Sequence, residues 1–344
     1  MASLDVFKAD GFSMEELTAA VNRRDFLPQR TLELGLFDPV RVRTTTISIE
    51  RKAGVLTLVQ TTPRGGPGET RGRNRRELIT VAISRIALDD QIMADEVEGI
   101  RAFGSQSELM QIQQLVNDRA GELRRDIEFT HENHRVTALN GVMLDADGTT
   151  LLDMYSAWGL SAPAKVMFDL ANATDGALRE NVEANVIRVI LRALKGLGSG
   201  QMRIRALCGD TFWDALIKNA EVRDSFKSQP QAEWLRQGTI FGEFHFAGVT
   251  WENYRGSDLA TPTNQTVRVT ADECRFVPEG IPGLFQQVFG PADYQETVNT
   301  LGMPFYTKQA LDPMFQRFTA LEVQSNTVSF CTVPEVLLKG DKDA

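Results

Sequence analysis

Residues 103–141 read FGSQSELMQIQQLVNDRAGELRRDIEFTHENHRVTALNG, and the rest of the chain is arranged around them. Ser105-Gln-Ser-Glu108 is a capping box, in which the serine hydroxyl and the glutamate carboxylate each satisfy a backbone N–H left without a partner at a helix start. Larger apolar or small residues then recur at Leu109, Ile112, Val116, Ala120, Leu123, Ile127, His134 and Ala138. They stand mostly three or four apart, with one longer step after Ile127 that Thr130 or His131 bridges. This spacing predicts one face of a single helix over about 105–140, with Gly121 inside it as a place to bend. At about 1.5 Å per residue the helix is roughly 50 Å long, more than most helices of compact domains, so it reads as a spine.

Toward the N-terminus, Asp89–Val97 reads as an acidic helical turn leading into the spine, and Leu78–Ile83 as a strand. The β-branched run Thr44–Glu50, the turn residues Arg51-Lys-Ala-Gly54 and Val55–Val59 read as a projecting hairpin. Between Thr61 and Glu77 the chain is too rich in Gly and Arg to pack internally, which predicts a mobile loop. Residues 1–40 open with a second capping box, Ser13-Met-Glu-Glu16, and a short helix that ends at Phe26-Leu-Pro28. Leu32, Leu34, Leu36 and Phe37 are too few for a core of their own, so this segment is an arm that packs on something else.

Beyond the spine, Val142–Met154 predicts two strands around an Asp147-Gly148 turn. Arg179–Lys195 reads as a helix stopped by Gly196, Arg203–Cys208 as a buried strand, and Thr211–Phe226 as a helix beginning beside Asp210. Phe241–Tyr254 alternates as a hairpin does, and from Val267 onward the chain reads as strands and loops.

A chain of 344 residues with 42% hydrophobic and 24% charged side chains can bury a large core in two or more domains. No apolar run approaches the roughly 20 residues of a membrane span. The N-terminus, with Lys8 following Asp5, lacks a signal-peptide pattern, so synthesis in a cytoplasm is expected. Cys208, Cys274 and Cys331 lack the close pairing of zinc or redox motifs and read as small buried hydrophobes.

The net charge of −9 argues against a general nucleic-acid binder, but it is unevenly spread. Residues 41–77 hold nine basic and three acidic side chains, a net +6, whereas Ile86–Asp147 holds five Arg against thirteen Asp and Glu, a net −8. The basic loop carries Arg64, Arg71, Arg73, Arg75 and Arg76. The spine offers Glu108, Asp118, Glu122, Asp126, Glu128 and Glu132 as acidic outer residues. Of these, Glu122, Asp126 and Glu128 are the candidate contacts for a neighbouring subunit's loop. Few aromatics interleave with the arginines, so base stacking is poorly served and docking on an acidic protein surface is favoured. Nucleic-acid binding through phosphate contacts is the alternative.

The remaining motifs carry no chemistry. His131 and His134 stand three apart, where a zinc-protease helix needs four, and His245 is the only other histidine. Asp145-Ala-Asp147-Gly148 fails calcium-loop spacing, with Thr150 where glycine belongs and Ser156 where the bidentate glutamate belongs. Gly196-Leu-Gly-Ser-Gly200 follows a helix, whereas phosphate loops precede one. No nucleophile elbow, P-loop or dinucleotide fingerprint is present, so neither an enzyme nor a cofactor is expected.

An arm, a projecting hairpin with a charged tip, a long acidic spine and a following α/β region together resemble the lambda-type phage major capsid proteins, the capsid protein E family. The likeness rests on Phe26-Leu-Pro28 with Leu34-Gly-Leu-Phe37, Thr44-Thr-Thr-Ile47 with Arg64-Gly65, and Asp95-Glu-Val-Glu-Gly-Ile-Arg101 with Gly104. It continues through Thr130-His-Glu132, Ala138-Leu-Asn-Gly-Val142, Pro291-Ala-Asp-Tyr294, Glu296–Gly302, Pro304, Tyr306 and Gln324-Ser-Asn326. The resemblance implies the α+β Hong Kong 97-type fold: an N-terminal arm (1–40), an extended loop (41–85), a peripheral domain with the spine (86–165), an axial domain (about 166–270) and a return to the peripheral domain with C-terminal strands (271–344). It also implies a self-assembling shell of hexamers and pentamers forming an icosahedral phage head around double-stranded DNA, made in a bacterial cytoplasm. Its partners would be copies of itself and scaffold, portal and decoration proteins, with DNA enclosed but not specifically bound, and no membrane. An encapsulating compartment of the same fold is the other reading of the likeness.

Overall fold

Residues 30–52, 76–94, 96, 105–171, 176–197, 202–227, 243–254, 269–315 and 317–343 are described by a computed structural model. In chain order the elements are α1 (Arg30–Glu33), β1 (Asp38–Arg41), β2 (Thr46–Lys52), β3 (Arg76–Ala82), β4 (Ser84–Met93) and the spine α2 (Ser105–Ala138). Next come β5 (Val142–Leu144), β6 (Thr150–Asp153), α3 (Met154–Ala157), β7 (Val166–Met167) and α4 (Ala177–Asn181). A π-helical stretch (Val182–Ile187) joins α4 to α5 (Arg188–Leu194), followed by β8 (Arg203–Cys208), α6 (Asp210–Lys218) and α7 (Ala220–Lys227). The hairpin β9 (Glu243–Phe246) and β10 (Val249–Asn253), then β11 (Glu273–Glu279), β12 (Phe285–Phe289), β13 (Tyr306–Leu311), β14 (Phe318–Cys331) and β15 (Leu338–Asp341) complete the chain.

Two sheets carry the structure. The first is built on β14, which pairs antiparallel with β4, β12 and β13, while β1 adds to β12 in parallel. The spine lies on this sheet and buries Val116, Ala120 and Ile127 against Ile92, Phe305, Leu321 and Val323. His131 is the residue that bridges the longer step in the helix pattern, since it is buried and Thr130 is only half-buried. The helix is unbroken through Gly121.

The second sheet has the order β7-β15-β11-β8-β10-β9. Strand alternation gives it two unlike faces. One face carries Phe276 and Trp251, which pack with Phe168 and with Phe212 of α6 at ring-centroid distances of 5.6–6.3 Å. The other face carries Arg205, Thr250, Glu252, Arg275 and Glu279, which sit opposite or beside one another in register. β11 and β15 belong to this sheet, so the segment 271–344 serves both sheets.

Three readings of the sequence need correction. Asp89–Met93 is not a helical turn but the end of β4, paired residue by residue from Ser84 opposite Thr327 to Met93 opposite Phe318. Period-two alternation of Ile86, Leu88 and Ile92 overrides the acidic composition. The partner of Thr46–Lys52 is Arg76–Ala82, with Lys52 opposite Arg76. The expected second strand Val55–Val59 lies outside the described residues, as does the helix from Ser13. Finally, the helix expected over Thr211–Phe226 is two helices, because the Asn219 side chain accepts from the Glu221 N–H at 3.0 Å and caps a fresh start.

Other readings stand. Lys195 and Gly196 both take left-handed conformations where the helix from Ala177 ends. The β9–β10 hairpin turns at Ala247-Gly248, both at positive φ, as a two-residue turn requires. Cys208, Cys274 and Cys331 are buried free thiols.

Candidate functional site

The spine is one helix with two kinds of surface. In its middle, Asp118, Glu122 and Asp126 are exposed one turn apart, at i, i+4 and i+8. Like charges at this spacing oppose the helix that holds them. The cost registers at Asp126, whose carboxyl is held above its ordinary range by partial burial and by Glu122. Among the described residues neither Glu122 nor Asp126 has an ion pair.

Glu128, expected in that stripe, is elsewhere. It is 3% exposed and turned inward, accepting a hydrogen bond of 2.5 Å from Arg124 Nε. The Arg124 guanidinium lies 4.6 Å from the centre of the Phe305 ring. Glu132 is also buried rather than outer. A helix presents only part of its circumference to solvent once the first sheet, the arm and the end of β10 all pack on its C-terminal third, and positions 128 and 132 fall on the covered part.

Glu132 is the centre of a junction. Its carboxylate accepts from the Thr31 N–H at 3.1 Å, the Thr31 hydroxyl, the Tyr254 hydroxyl at 2.8 Å and Arg135 at 3.1 Å. Arg135 also donates to Thr31 Oγ1 at 2.9 Å and Gln287 Oε1 at 3.1 Å. Arm helix α1, the spine, the residue after β10 and strand β12 therefore meet at one buried ion pair. Burial, reinforced by the neighbouring carboxylate, keeps the Tyr254 phenol protonated far above its usual range, so it stays a donor.

The arm is tied a second time through Arg30, whose guanidinium pairs with the fully buried Glu252 on the charged face of the second sheet. Glu252 also takes Arg205 Nη1 at 2.6 Å, and Arg205 reaches Glu279 at 2.5 Å and Glu243 at 2.8 Å. Sequence reading missed Arg30, Thr31, Arg205, Glu252 and Tyr254. The one signal for Arg205 and Glu252 was a charge inside an otherwise apolar strand pattern.

His131 and His134 both lie in the packed interior. His131 Nε2 is 2.9 Å from Ser325 Oγ and the ring stacks on Phe305 at 5.4 Å. His134 is buried with neither ring nitrogen hydrogen-bonded among the described residues. Burial lowers it to about 4, against the opposing pull of Asp145, and lowers His131 well below its ordinary value. Both are neutral near pH 7. Asp147 spends its carboxylate on the N–H and hydroxyl of Thr149, at 2.8 and 2.7 Å, closing the β5–β6 turn. Among the described residues no group of three or more metal-ligating side chains is gathered, and no helix is long and apolar enough to cross a membrane.

Of the basic loop, Arg64, Arg71, Arg73 and Arg75 lie outside the described residues. Arg76 is the first residue of β3, and its side chain is likewise outside them. The ribbon that carries the loop is described: β2 and β3 pair with each other over seven residues each. Val81, Ile47, Ile49 and Ile79 pack on the main core.

The model of the family described as phage major capsid protein E matches residues 13–342. The chain belongs to that family. It is similar to the major capsid protein of Pseudomonas phage KPP10, 28% identical over 325 residues covering 90% of this chain and 91% of that one. It is similar also to the major capsid protein of Salmonella phage Felix O1, 23% identical over 338 residues with the same coverage, 90% and 91%. The fold is that of a capsid protein from an E. coli CFT073 prophage, with a TM-score of 0.53 at 14% identity, covering 96% of this chain and 99% of that one. The architecture is thus the α+β Hong Kong 97-type fold. As a member of the major capsid protein E family the chain is a structural subunit of an icosahedral phage head, and its place is the virion.

Proposed function

We propose that this capsid subunit closes its shell as hexamers and pentamers, through a basic extended loop on one copy and the acidic stripe of the spine on the next. The β14-centred sheet with the spine is the peripheral domain, the six-stranded sheet with its helices is the axial domain, and residues 41–85 are the extended loop. Glu122 and Asp126 receive Arg64, Arg71, Arg73, Arg75 and Arg76 of a neighbour. Glu128 has no part in this contact, because it is consumed by Arg124 within the subunit. One observation carries the reading: a stripe of exposed like charge at Asp118, Glu122 and Asp126, on a helix whose other face is buried against its own subunit. Each contact is weak alone, and a closed shell repeats it many times, so the sum is large.

The shell encloses double-stranded DNA without a specific site for it, and scaffold, portal and decoration proteins are its partners in assembly. The subunit does no catalysis. Reversing Arg71, Arg73, Arg75 and Arg76 to Glu is expected to abolish shell formation while leaving the subunit folded, as read by electron microscopy and circular dichroism. Adding Glu122→Arg and Asp126→Arg to the same chain should restore part of the yield. Unchanged shell yield in the four-fold reversal would sink the docking scheme.

A further inference from the structure

Cys208 and Cys274 stand 66 positions apart in sequence and directly opposite each other in the second sheet, where β8 and β11 pair antiparallel. The Gly209 N–H donates to the Glu273 carbonyl at 2.9 Å, which makes Gly209 and Glu273 a hydrogen-bonded pair. The preceding pair, Cys208 and Cys274, is therefore a non-hydrogen-bonded one, the arrangement in which opposing Cα atoms come within about 4.5 Å. Directly opposed residues point to the same face, so both thiols lie on the buried aromatic side of the sheet, where the Cys208 thiol donates to the Ala206 carbonyl at 3.7 Å. That Cα separation lies inside the range a disulfide spans, about 4.4–6.8 Å.

The third strand makes room for the sulfurs. Gly340 of β15 is the residue opposite Cys274 on its other side, and a Cβ there would sit 2.6 Å from Cys274 Sγ. Any larger residue would push the sulfur out of its place. Cys331, in contrast, is on the other sheet, and its thiol donates to the Val333 carbonyl at 3.4 Å.

We infer that Cys208 and Cys274 are a cross-strand oxidation site, reduced while the subunit is made and joined as a disulfide once the particle meets a small-molecule disulfide outside the cell. The exchange balances in two steps. One cysteine sulfur attacks the small disulfide, forming a mixed disulfide and expelling one small thiol. The second cysteine sulfur attacks the mixed disulfide, forming the Cys208–Cys274 bond and expelling the other small thiol. Two protein thiols are oxidised, the small disulfide is reduced to two thiols, and both protons end on those thiols. Cys208 is fully buried and burial holds its thiol protonated, so the reaction waits for local opening of the sheet. The bond would tie β8 to β11 in the middle of the six-stranded sheet, where disulfides of virion proteins can persist after the reducing cytoplasm is left behind.

The test is a thiol count on purified, assembled particles. One sample is kept in dithiothreitol, which is then removed. Its twin is incubated with oxidised glutathione over a temperature series ending just below particle dissociation, which supplies the opening. Both are denatured in N-ethylmaleimide and weighed by intact mass spectrometry. The reduced sample should carry three maleimide adducts and the oxidised sample one, on Cys331, with a peptide containing Cys208 linked to one containing Cys274. A Cys208→Ser chain should carry two adducts in both samples. Three adducts on the wild-type chain at every temperature would overturn the inference without recourse to any variant, and so would a disulfide that includes Cys331.

Discussion

The two halves of the spine contrast. From about Gln113 to Ile127 the helix is mainly amphipathic, apolar toward the sheet apart from the buried Arg124, with the acidic Asp118, Glu122 and Asp126 toward solvent. From Glu128 to Ala138 it is polar and yet enclosed: Glu128, His131, Glu132, His134 and Arg135 are all 5% exposed or less. The first half is held by area removed from water, which tolerates approximate geometry. The second is held by directed hydrogen bonds, where removing one partner strands the others. A single helix thus joins a forgiving, exposed surface to a rigid junction that ties the arm to the second sheet.

Breaking the junction should have the largest effect. Glu132→Ala removes the acceptor of Thr31, Tyr254 and Arg135 together, leaving Arg135 buried with its main counter-charge gone. A loss of about 3–5 kcal/mol in unfolding free energy is expected from denaturant titration. A loss below 1 kcal/mol would show that the junction is not what holds the arm.

Next in size is acid. His134 binds its proton near pH 4 in the folded chain and near 6.5 when unfolded. Above pH 6.5 it is neutral in both states. As pH falls from 6.5 toward 4 the unfolded chain takes up a proton that the folded chain refuses, so stability falls, by about 3 kcal/mol from this group. His131, lowered for the same reason, adds to the slope. His134→Gln should make the stability–pH curve shallower between pH 4 and 6.5, and an identical slope would show that the ring finds a proton-compatible site after all.

The end of the helix offers a steric test. Gly141 has φ +81°, and a Cβ on it would lie 2.2 Å from the Tyr155 ring. Gly141→Ala is expected to lower the thermal transition through both strain, about 1–3 kcal/mol, and clash. The smallest effect on stability belongs to the forgiving half. Glu122→Lys with Asp126→Lys should leave the subunit's unfolding free energy within about 0.5 kcal/mol while reducing shell yield. A large change in the isolated subunit would mean that the stripe serves the fold and not the assembly.

Much of this was legible in the chain. The three-and-four spacing from Val116 through Ala138, the β9–β10 turn and the stop at Gly196 are local rules, and the structure keeps them. Glu132 was misplaced because its neighbours are Thr31 and Tyr254, and Glu128 because the Arg124 it pairs with is packed on Phe305, residues that no spacing along the helix can point to. Asp89 and Asp90 look helical by composition and are strand by partnership with Asp90 opposite Leu321 and Asp89 opposite Glu322.

The sequence by itself determined the helix, the β5–β6 and β9–β10 hairpins and the opposite charges of loop and spine, because these depend on residues close to one another in the chain. Which face of the spine is covered, which glutamates are consumed inside the subunit and which cysteines meet were decided only by the tertiary structure. Burial and pairing across 66 to 222 positions of sequence are properties of strand register and packing, and an unfolded chain carries no trace of them.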